Sequence, residues 1–324
     1  MNATISIPEN DRPREGSGSQ GAFGCTPTQP CRPDALTLLA FGVLVVLIGA
    51  NPLAVRFTNR EIPPLWGAGT RLAVAAAVFF SYVLVRRIRL PRGRDLRGAL
   101  LFGVVQFGLG FGLGYWALVR VPASIAGVLL AGVPLFTLAF AVVSRVELPT
   151  VRGLVGALIS IGGIAVILGG GSAASVPWQY LAAMVGFVAC LAGGLVIAKA
   201  LPGVHPAAMN AIGTSVGAVA LVLLSLILGE DTPLPKADPT WAVQLYVALI
   251  GSVGVFGLIL FVVRRWTATG ASYQTVLSPP VTILLAAWLL GEPLSPRLAL
   301  GMVVVLLGVY AGALSHPRKS STVR

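Results

Sequence analysis

The side chains that could transfer protons, bind a metal or form covalent intermediates are few in this sequence. Its 324 residues include 11 carboxylates, two histidines and three cysteines. The acids lie in short charged segments, outside the long apolar runs that make up most of the chain. A paired-carboxylate protease, a Ser/His hydrolase or a zinc site needs several such groups at one depth. We therefore predict no catalytic residue, no metal site and no cofactor, which argues against an enzyme.

The apolar runs themselves must lie in lipid. Hydrophobic residues make up 56% of the chain and charged residues 10%, and the mean hydropathy is +0.87, which excludes an ordinary soluble domain. A bilayer core about 30 Å thick needs roughly 20 apolar residues per helix. Ten transmembrane helices are predicted, at 35–55, 65–85, 96–118, 123–143, 153–168, 178–198, 207–228, 241–263, 271–290 and 298–314.

One charged residue, Arg71, is predicted to lie inside the second of these helices. An unpaired charge in hydrocarbon costs about 2.5–3.5 kcal/mol on insertion scales, so the guanidinium needs a partner or water. Either it faces a cavity and attracts a substrate carboxylate, or it extends outward or binds carbonyl groups near the outer interface. Its shallow depth favours the second interpretation.

Uncharged polar and aromatic residues also occur within the predicted helices. A polar group facing hydrocarbon is costly, so each should contact another helix or a wet cavity. As a set they could form a small-molecule site with hydrogen-bonding amides and aromatic walls, although singly each could be an interhelical contact. Gln106 and Gln274 are the preferred cavity residues because both lie well inside their helices. The full set, with Arg71, is Asn51, Gln106, Tyr115, Trp116, Asn210, Tyr246, Tyr273, Gln274 and Trp288.

The net charge of +12 is distributed unevenly between the loops. If the N-terminus is cytoplasmic, 17 of the 23 Lys and Arg residues lie on the inner side. This bias follows the positive-inside rule, so both termini are predicted to be cytoplasmic and the charge needs no nucleic-acid partner. Residues 1–34 are predicted to be a disordered tail and residues 316–324 a short C-terminal tail.

An internal repeat divides the rest of the chain. A shift of 145 residues aligns 111–163 with 256–308 without a gap, and 13 of these 53 positions are identical. The identities include Pro134 with Pro279, Glu147 with Glu292, and Arg152 with Arg297. The shift carries the fourth helix onto the ninth, and an offset of five helices reverses direction in the membrane. We therefore predict an all-α membrane protein with ten transmembrane helices in two inverted five-helix repeats, 35–170 and 171–315.

The repeated residues suggest two mechanical roles. Pro134, Pro279 and the adjacent Pro280 are predicted mid-helix, where each proline kinks a helix and could act as a hinge or only shape the packing. Glu147 with Arg152, and Glu292 with Arg297, are predicted to be ion pairs or helix-start anions at helix exits.

The segment ASIAGVLLAGVPLFTLAFAVVSRVELPTVRGLVGALISIGGIAVIL and its partner ASYQTVLSPPVTILLAAWLLGEPLSPRLALGMVVVLLGVYAGAL share a small-residue helix start, a proline, an exit glutamate and a glycine-spaced closing helix. These features resemble the second part of each EamA repeat in the drug/metabolite transporter superfamily. GANPLAVRFTNREIPPLWGAGTRLAVA resembles the opening of the first repeat. The resemblance implies ten helices, cytoplasmic termini and export of metabolites such as amino acids or related compounds.

Inverted repeats are typical of secondary transporters, because one fold with two pseudo-symmetric arrangements can open to either face in turn. The prediction is a transporter in the cell inner membrane that exports a small metabolite by alternating access, with the substrate and the lipid bilayer as its partners. A non-transporting membrane scaffold is the alternative. The absence of a carboxylate within the predicted helices indicates facilitated diffusion, or an energy coupling that the sequence does not reveal.

Overall fold

The computed structural model describes residues 34–143, 151–168, 175–231, 238–265 and 274–311. These residues form helices and no strand. In chain order we name them α1 (Ala35–Thr58), α2 (Pro64–Val85), α3 (Arg94–Ala117), α4 (Ala123–Leu130 and Val133–Val143), α5 (Val151–Leu168), α6 (Trp178–Lys199), α7 (Pro206–Ile227), α8 (Asp238–Leu245, Tyr246–Gly254 and Val255–Arg265), α9 (Gln274–Leu290) and α10 (Pro296–Val309).

Six of these helices are long and apolar enough to cross a membrane: α1, α2, α3, α6, α7 and α8. Helices α4, α5, α9 and α10 contribute shorter apolar segments, at Ala123–Thr137, Leu158–Ile167, Leu277–Leu290 and Pro296–Gly308. Helices suit lipid because each satisfies its own backbone hydrogen bonds. The all-helical membrane fold is confirmed, whereas the count of ten crossings stays a prediction.

Two helices of the first half pack antiparallel against their equivalents in the second half. The start of α2 contacts the end of α7, since a Cβ on Gly69 would lie 3.1 Å from the backbone nitrogen of Val222. Farther along α2, Leu72 contacts Gly217, which precedes Val222 in α7. Antiparallel packing of the second helix of each repeat is what an inverted repeat requires.

The same relationship joins α5 to α10 through glycines. A Cβ on Gly163 would lie 2.9 Å from the carbonyl oxygen of Gly301, and one on Gly308 would lie 2.6 Å from that of Gly156. Between these contacts, Ser160 donates to the carbonyl oxygen of Val305 at 3.2 Å. Small residues let two helix backbones approach closely in lipid. The repeat shift relates Gly156 to Gly301 and Gly163 to Gly308. The same glycine contact therefore occurs at two symmetry-related places in one interface.

Helices α3 and α8 each contain a stretch of wide π-helical turns, at Gly103–Gly110 and Tyr246–Gly254. The 145-residue shift places the first stretch on 248–255, so the two occupy equivalent positions. In α8 the Ser252 hydroxyl donates to the carbonyl oxygen of Val247, five residues earlier, at 3.0 Å. Such turns are rare and frequently mark functional sites, because they change which side chains face a neighbour.

The repeated prolines occupy different positions in their helices. Pro279 and Pro280 lie inside α9. Pro134 is the second residue of the segment Val133–Val143, which follows an interruption of α4 after Leu130. A proline near a helix start removes no helical hydrogen bond. Pro134 therefore lies at the start of a helical segment and does not kink it. The hinge role of all three prolines stays a prediction.

Candidate functional site

A cavity of about 270 Å³ lies between helices of both repeats. It is lined from the first repeat by α1, α2, α3 and the end of Ala123–Leu130 in α4, and from the second by α6, α7 and α8. Both π-helical stretches contribute to the lining, through Gln106 and Phe107 in α3 and through Gly251 and Ser252 in α8. The cavity thus lies where the two repeats meet.

Arg71 is the central polar residue of this cavity and is only 4% exposed. Its Nε donates to the Ser252 hydroxyl at 3.0 Å, and its Nη1 donates to the Tyr115 hydroxyl at 3.3 Å. Its Nη2 donates to the carbonyl oxygen of Gly251 at 3.2 Å. The guanidinium also lies 5.3 Å from the ring centre of Phe111, a cation–π distance. The side chain is therefore buried and does not extend outward, but it does bind a backbone carbonyl group, and its attraction of a substrate carboxylate stays a prediction.

The position of Arg71 follows from the packing of α2 between α7 and α8. Arg71 lies seven residues after Pro64, which places it about 10 Å along the helix from its start. There the wide turns of α8 bring the Gly251 carbonyl and the Ser252 hydroxyl to face α2. Because these acceptors bind three of its five N–H groups together with the Tyr115 hydroxyl, the guanidinium is held within the protein.

Among the described residues that line the cavity, Arg71 is the one charged side chain. No described carboxylate forms an ion pair with it, and its hydrogen-bond partners are all neutral. Neutral partners lower the cost of burying the guanidinium but leave its positive charge uncompensated. The cavity therefore has a positive character.

Asn51 and Gln106 make related contacts with glycines of the opposite repeat. Asn51, on the first helix of repeat one, donates to the carbonyl oxygen of Gly251, on the third helix of repeat two, at 3.0 Å. Gln106, on the third helix of repeat one, packs against Gly194, on the first helix of repeat two. The Oδ1 of Asn51 and the Oε1 of Gln106 are buried without a hydrogen-bond partner.

Aromatic and aliphatic side chains form the remaining walls. Phe107, Phe111 and Tyr115 follow one another at four-residue spacing on α3, with ring centres 5.4 and 6.4 Å apart. Phe187 of α6 meets Phe111 edge to face at 6.1 Å. Aliphatic lining residues include Ile48, Val55, Leu118, Leu191 and Ile259. An apolar cavity with a few convergent polar groups is the usual form of a small-molecule site.

Four of the ten cavity candidates line this site: Asn51, Arg71, Gln106 and Tyr115. Trp116 and Trp288 lie on the outer surface, 38% and 79% exposed, and the Trp116 ring packs on Tyr180 with 4.6 Å between ring centres. Asn210 donates to the carbonyl oxygen of Pro206 within α7. Tyr246 and Gln274 are half-buried and are not among the lining residues, and Tyr273 lies outside the described residues.

Gly251, Ser252 and Thr214 line the cavity without having been singled out from sequence. One signal could have found the first two. The 145-residue shift, extended five residues beyond the aligned segment, carries Gln106 onto Gly251 and Phe107 onto Ser252. Thr214 carried no such signal, because hydroxyl residues are common inside apolar helices, where they bond to their own backbone.

Two glutamates of the second repeat bind helix starts of the first. Glu292, which follows α9, accepts hydrogen bonds from the backbone nitrogens of Ala123 and Ser124 at 2.9 and 3.0 Å. It also accepts one from the Ser124 hydroxyl and forms a 2.8 Å ion pair with Arg56 of α1. A carboxylate is favourable at a helix start because of the unpaired N–H groups and the helix dipole.

Glu230, which follows α7, does the same for α2. Its carboxylate accepts hydrogen bonds from the backbone nitrogens of Leu65 and Trp66 at 3.3 and 3.0 Å, and from the Ser225 hydroxyl at 2.8 Å. Helices α7 and α9 run in the same direction, so both glutamates tie the repeats together at one face. By the charge distribution this is the predicted outer face.

The remaining predicted helix-exit residues add little to this description. Glu147 lies outside the described residues, and Arg152 is the second residue of α5. Arg297 follows Pro296 at the start of α10. The ion pairs predicted for these arginines stay predictions. Within the described ranges, no three His, Cys, Asp or Glu side chains form a group able to hold a metal ion.

Comparisons with known proteins agree with the repeat and the fold. A family model described as the EamA-like transporter family matches residues 36–169 and again residues 177–311. The chain is 31% identical over 280 residues to the "Uncharacterized inner membrane transporter YedA" of Escherichia coli (strain K12), across 84% of this chain and 90% of that protein. It is 29% identical over 293 residues to a "Probable amino-acid metabolite efflux pump" of Salmonella typhimurium (strain LT2), across 83% and 91%.

A crystal structure with 20% sequence identity has a similar fold, with a TM-score of 0.61 over 88% of this chain and 99% of the other. The same family model matches each half of the chain, and two pairs of equivalent helices, α2 with α7 and α5 with α10, pack antiparallel. The chain is a multi-pass membrane protein that belongs to the EamA-like transporter family.

Proposed function

We propose that this protein is a secondary transporter that exports a small metabolite, an amino acid or a related compound, across the cell inner membrane by alternating access. The observation that carries the proposal is the cavity built by both repeats around the buried Arg71. Its volume of about 270 Å³ suits a metabolite of on the order of ten non-hydrogen atoms, since one water occupies about 30 Å³ of liquid. The Salmonella relative is named a probable amino-acid metabolite efflux pump, which is consistent with this substrate class.

Alternating access needs contacts that hold one face closed and can be exchanged for others. The hydrogen bonds of Glu230 and Glu292 to helix starts of the first repeat supply such contacts at the predicted outer face. In this interpretation they break when the cavity opens outward.

Transport through the cavity would not itself require a proton, because no carboxylate or histidine is among its described lining residues. We therefore propose facilitated diffusion, and uptake against a substrate gradient driven by a pH gradient in liposomes would contradict it.

The test is a comparison of exported metabolites between deletion cells and cells expressing one of three proteins, read by untargeted mass spectrometry. The proteins are the wild type, Thr214→Trp and Val219→Trp. Thr214 lines the cavity, whereas Val219 lies on the same helix and is 60% exposed on the outer surface. We expect the wild type and Val219→Trp to export the same compound and Thr214→Trp to export little of it.

The alternative is a non-transporting membrane scaffold. A scaffold does not use the cavity, so filling it should not matter as long as the protein is inserted and folded. Equal amounts of Thr214→Trp and wild-type protein in the membrane, with equal metabolite profiles, would favour the scaffold. No exported compound in wild-type cells would contradict transport in the same experiment.

A further inference from the structure

We infer that the cavity recognises an organic monocarboxylate with a compact apolar body, whose carboxylate binds Arg71 and whose amino group, where present, is not recognised by a charged side chain. The inference rests on the proposed transport function and narrows its substrate class. Three features of the described residues support it. Arg71 has unused N–H groups, the other side chains that line the cavity are uncharged, and most of the cavity wall is apolar.

Arg71 has donors to spare. A guanidinium has five N–H groups, and three of them are used by Ser252, Tyr115 and Gly251. One N–H therefore stays available on each of the two terminal nitrogens. Two oxygens of one carboxylate can accept from both, the arrangement in which arginine binds carboxylates most strongly.

The cavity does not offer a charged partner for an ammonium group. Its described lining contains no Asp or Glu, and the sequence places no carboxylate within the predicted helices. The amide oxygens of Asn51 and Gln106 are buried out of contact with water, the first beside Gly251 and the second against Gly194. A ligand with a single negative charge thus complements the cavity better than a zwitterion, and a cation would be repelled by Arg71.

The apolar walls begin next to the proposed carboxylate position. Phe111 stacks on the guanidinium, and Phe107 and Phe187 both contact the Phe111 ring. A ligand whose carboxylate binds Arg71 would place its adjacent carbon atoms against these rings. A hydrocarbon body of about four to six carbons fits the cavity volume of about 270 Å³. A second charged or strongly polar end would meet apolar side chains without a partner.

The test compares three ligands with similar hydrocarbon bodies: 4-methyl-2-oxopentanoate, leucine and 3-methylbutylamine. Binding to the purified full-length protein in nanodiscs is measured by isothermal titration calorimetry. We expect the oxo acid to bind at least as tightly as leucine, and the amine to bind at least about 30-fold more weakly than either, which is the scale of losing one partner of a buried charge pair. Equal binding of the amine, or binding of leucine alone, would overturn the inference without any variant.

Two variants locate the effect at Arg71. Arg71→Gln should reduce oxo-acid binding at least about 30-fold, whereas Arg71→Lys, which keeps the charge without the planar fork, should lose less. Circular dichroism and a monodisperse elution profile establish that each variant is folded. If Arg71→Gln is unfolded, Asn51→Asp replaces it, because a carboxylate beside the guanidinium would neutralise the same charge. Undiminished binding by a folded Arg71→Gln or Asn51→Asp protein would contradict the inference.

The outcomes for the inference and for transport are separable. Binding of the oxo acid at Arg71 without any flux in cells or liposomes would contradict the transport function and leave the carboxylate site standing. Export of a compound that has no carboxylate, unchanged in Arg71→Gln, would contradict the carboxylate site and leave transport standing.

Discussion

Asn51 on α1 and Arg71 on α2 donate hydrogen bonds to the same acceptor, the carbonyl oxygen of Gly251 on α8, at 3.0 and 3.2 Å. Both donors belong to the first repeat and the acceptor belongs to the second. One backbone oxygen, within the wide turns of α8, therefore joins three helices at the wall of the cavity. A substitution of Asn51 therefore acts on the position of Arg71. A substitution of either donor also acts on the contact between the repeats.

Asn51→Asp should impair transport more than Asn51→Ala. The new carboxylate would lie within a few ångströms of the Arg71 guanidinium, since both side chains reach the Gly251 oxygen, and it would occupy or neutralise the charge that binds the substrate. We expect flux to fall at least about tenfold for Asn51→Asp, and by less for Asn51→Ala, which loses only a hydrogen bond of about 1 kcal/mol. Flux of the exported compound measures the difference, and a milder effect of Asn51→Asp would contradict it.

Gly194→Ala should displace Gln106. A Cβ at this position would lie 2.8 Å from Cδ and 3.0 Å from Cβ of Gln106, whereas one on the neighbouring Gly193 would lie 3.5 Å from Val105, an ordinary contact. We expect Gly194→Ala to lower both flux and thermal stability and Gly193→Ala to leave them near the wild-type values. Shortening Gln106 in the double variant Gly194→Ala with Gln106→Ala should restore stability, because the two residues are in contact. Additive losses in the double variant would contradict this cause.

Gly163→Ala should destabilise the packing of α5 on α10. A Cβ there would lie 2.7 Å from the backbone nitrogen of Val305, and a backbone atom can move only if the helix moves. A methyl group on the adjacent Gly162 would have no atom within 4 Å, so Gly162→Ala provides the matched control. Overpacking typically costs about 1–3 kcal/mol. Thermal unfolding of both variants in detergent should show a lower midpoint for Gly163→Ala alone, and equal midpoints would contradict the antiparallel α5–α10 interface.

Both tails should lie in the cytoplasm. The even number of predicted crossings and the excess of Lys and Arg on one side require it. Fusions of a fluorescent reporter that folds only in the cytoplasm should be bright at both ends, and fusions of a reporter active only in the periplasm should be inactive at both. Tails on opposite sides would contradict ten crossings, and active periplasmic reporters at both ends would reverse the orientation.

The repeat illustrates how far sequence alone could go. The glycine pairs, the prolines and the exit acids were visible in the register of the 145-residue shift, because a repeated packing interface demands the same small residues twice. Their partners were not visible. Glu292 meets Arg56 and the start of α4, which are far from it in sequence, because inversion brings the end of a second-repeat helix to the start of its first-repeat counterpart.

Gln106 and Gln274 show where sequence reasoning ended. Both amides were predicted to face the cavity because of their depth, yet Gln106 lines it and Gln274 is not among its lining residues. Depth follows from position along the chain, but the direction of a side chain depends on the phase of its helix. The wide turns of α3 change that phase. Because the helix is almost uniformly apolar, its sequence shows no pattern from which the change of phase could be predicted.

The sequence by itself determined the helical membrane fold and its inverted repeat, because lipid allows few structures for long apolar segments and a duplicated unit keeps its register. Only the tertiary structure decided that Arg71 faces inward, without a carboxylate among its described partners, beside Gly251 and Ser252. The physical reason is that the free-energy cost of burying a charge depends on the acceptors that neighbouring helices supply. Gly251 and Ser252, which supply two of them, are separated from Arg71 by some 180 residues of chain.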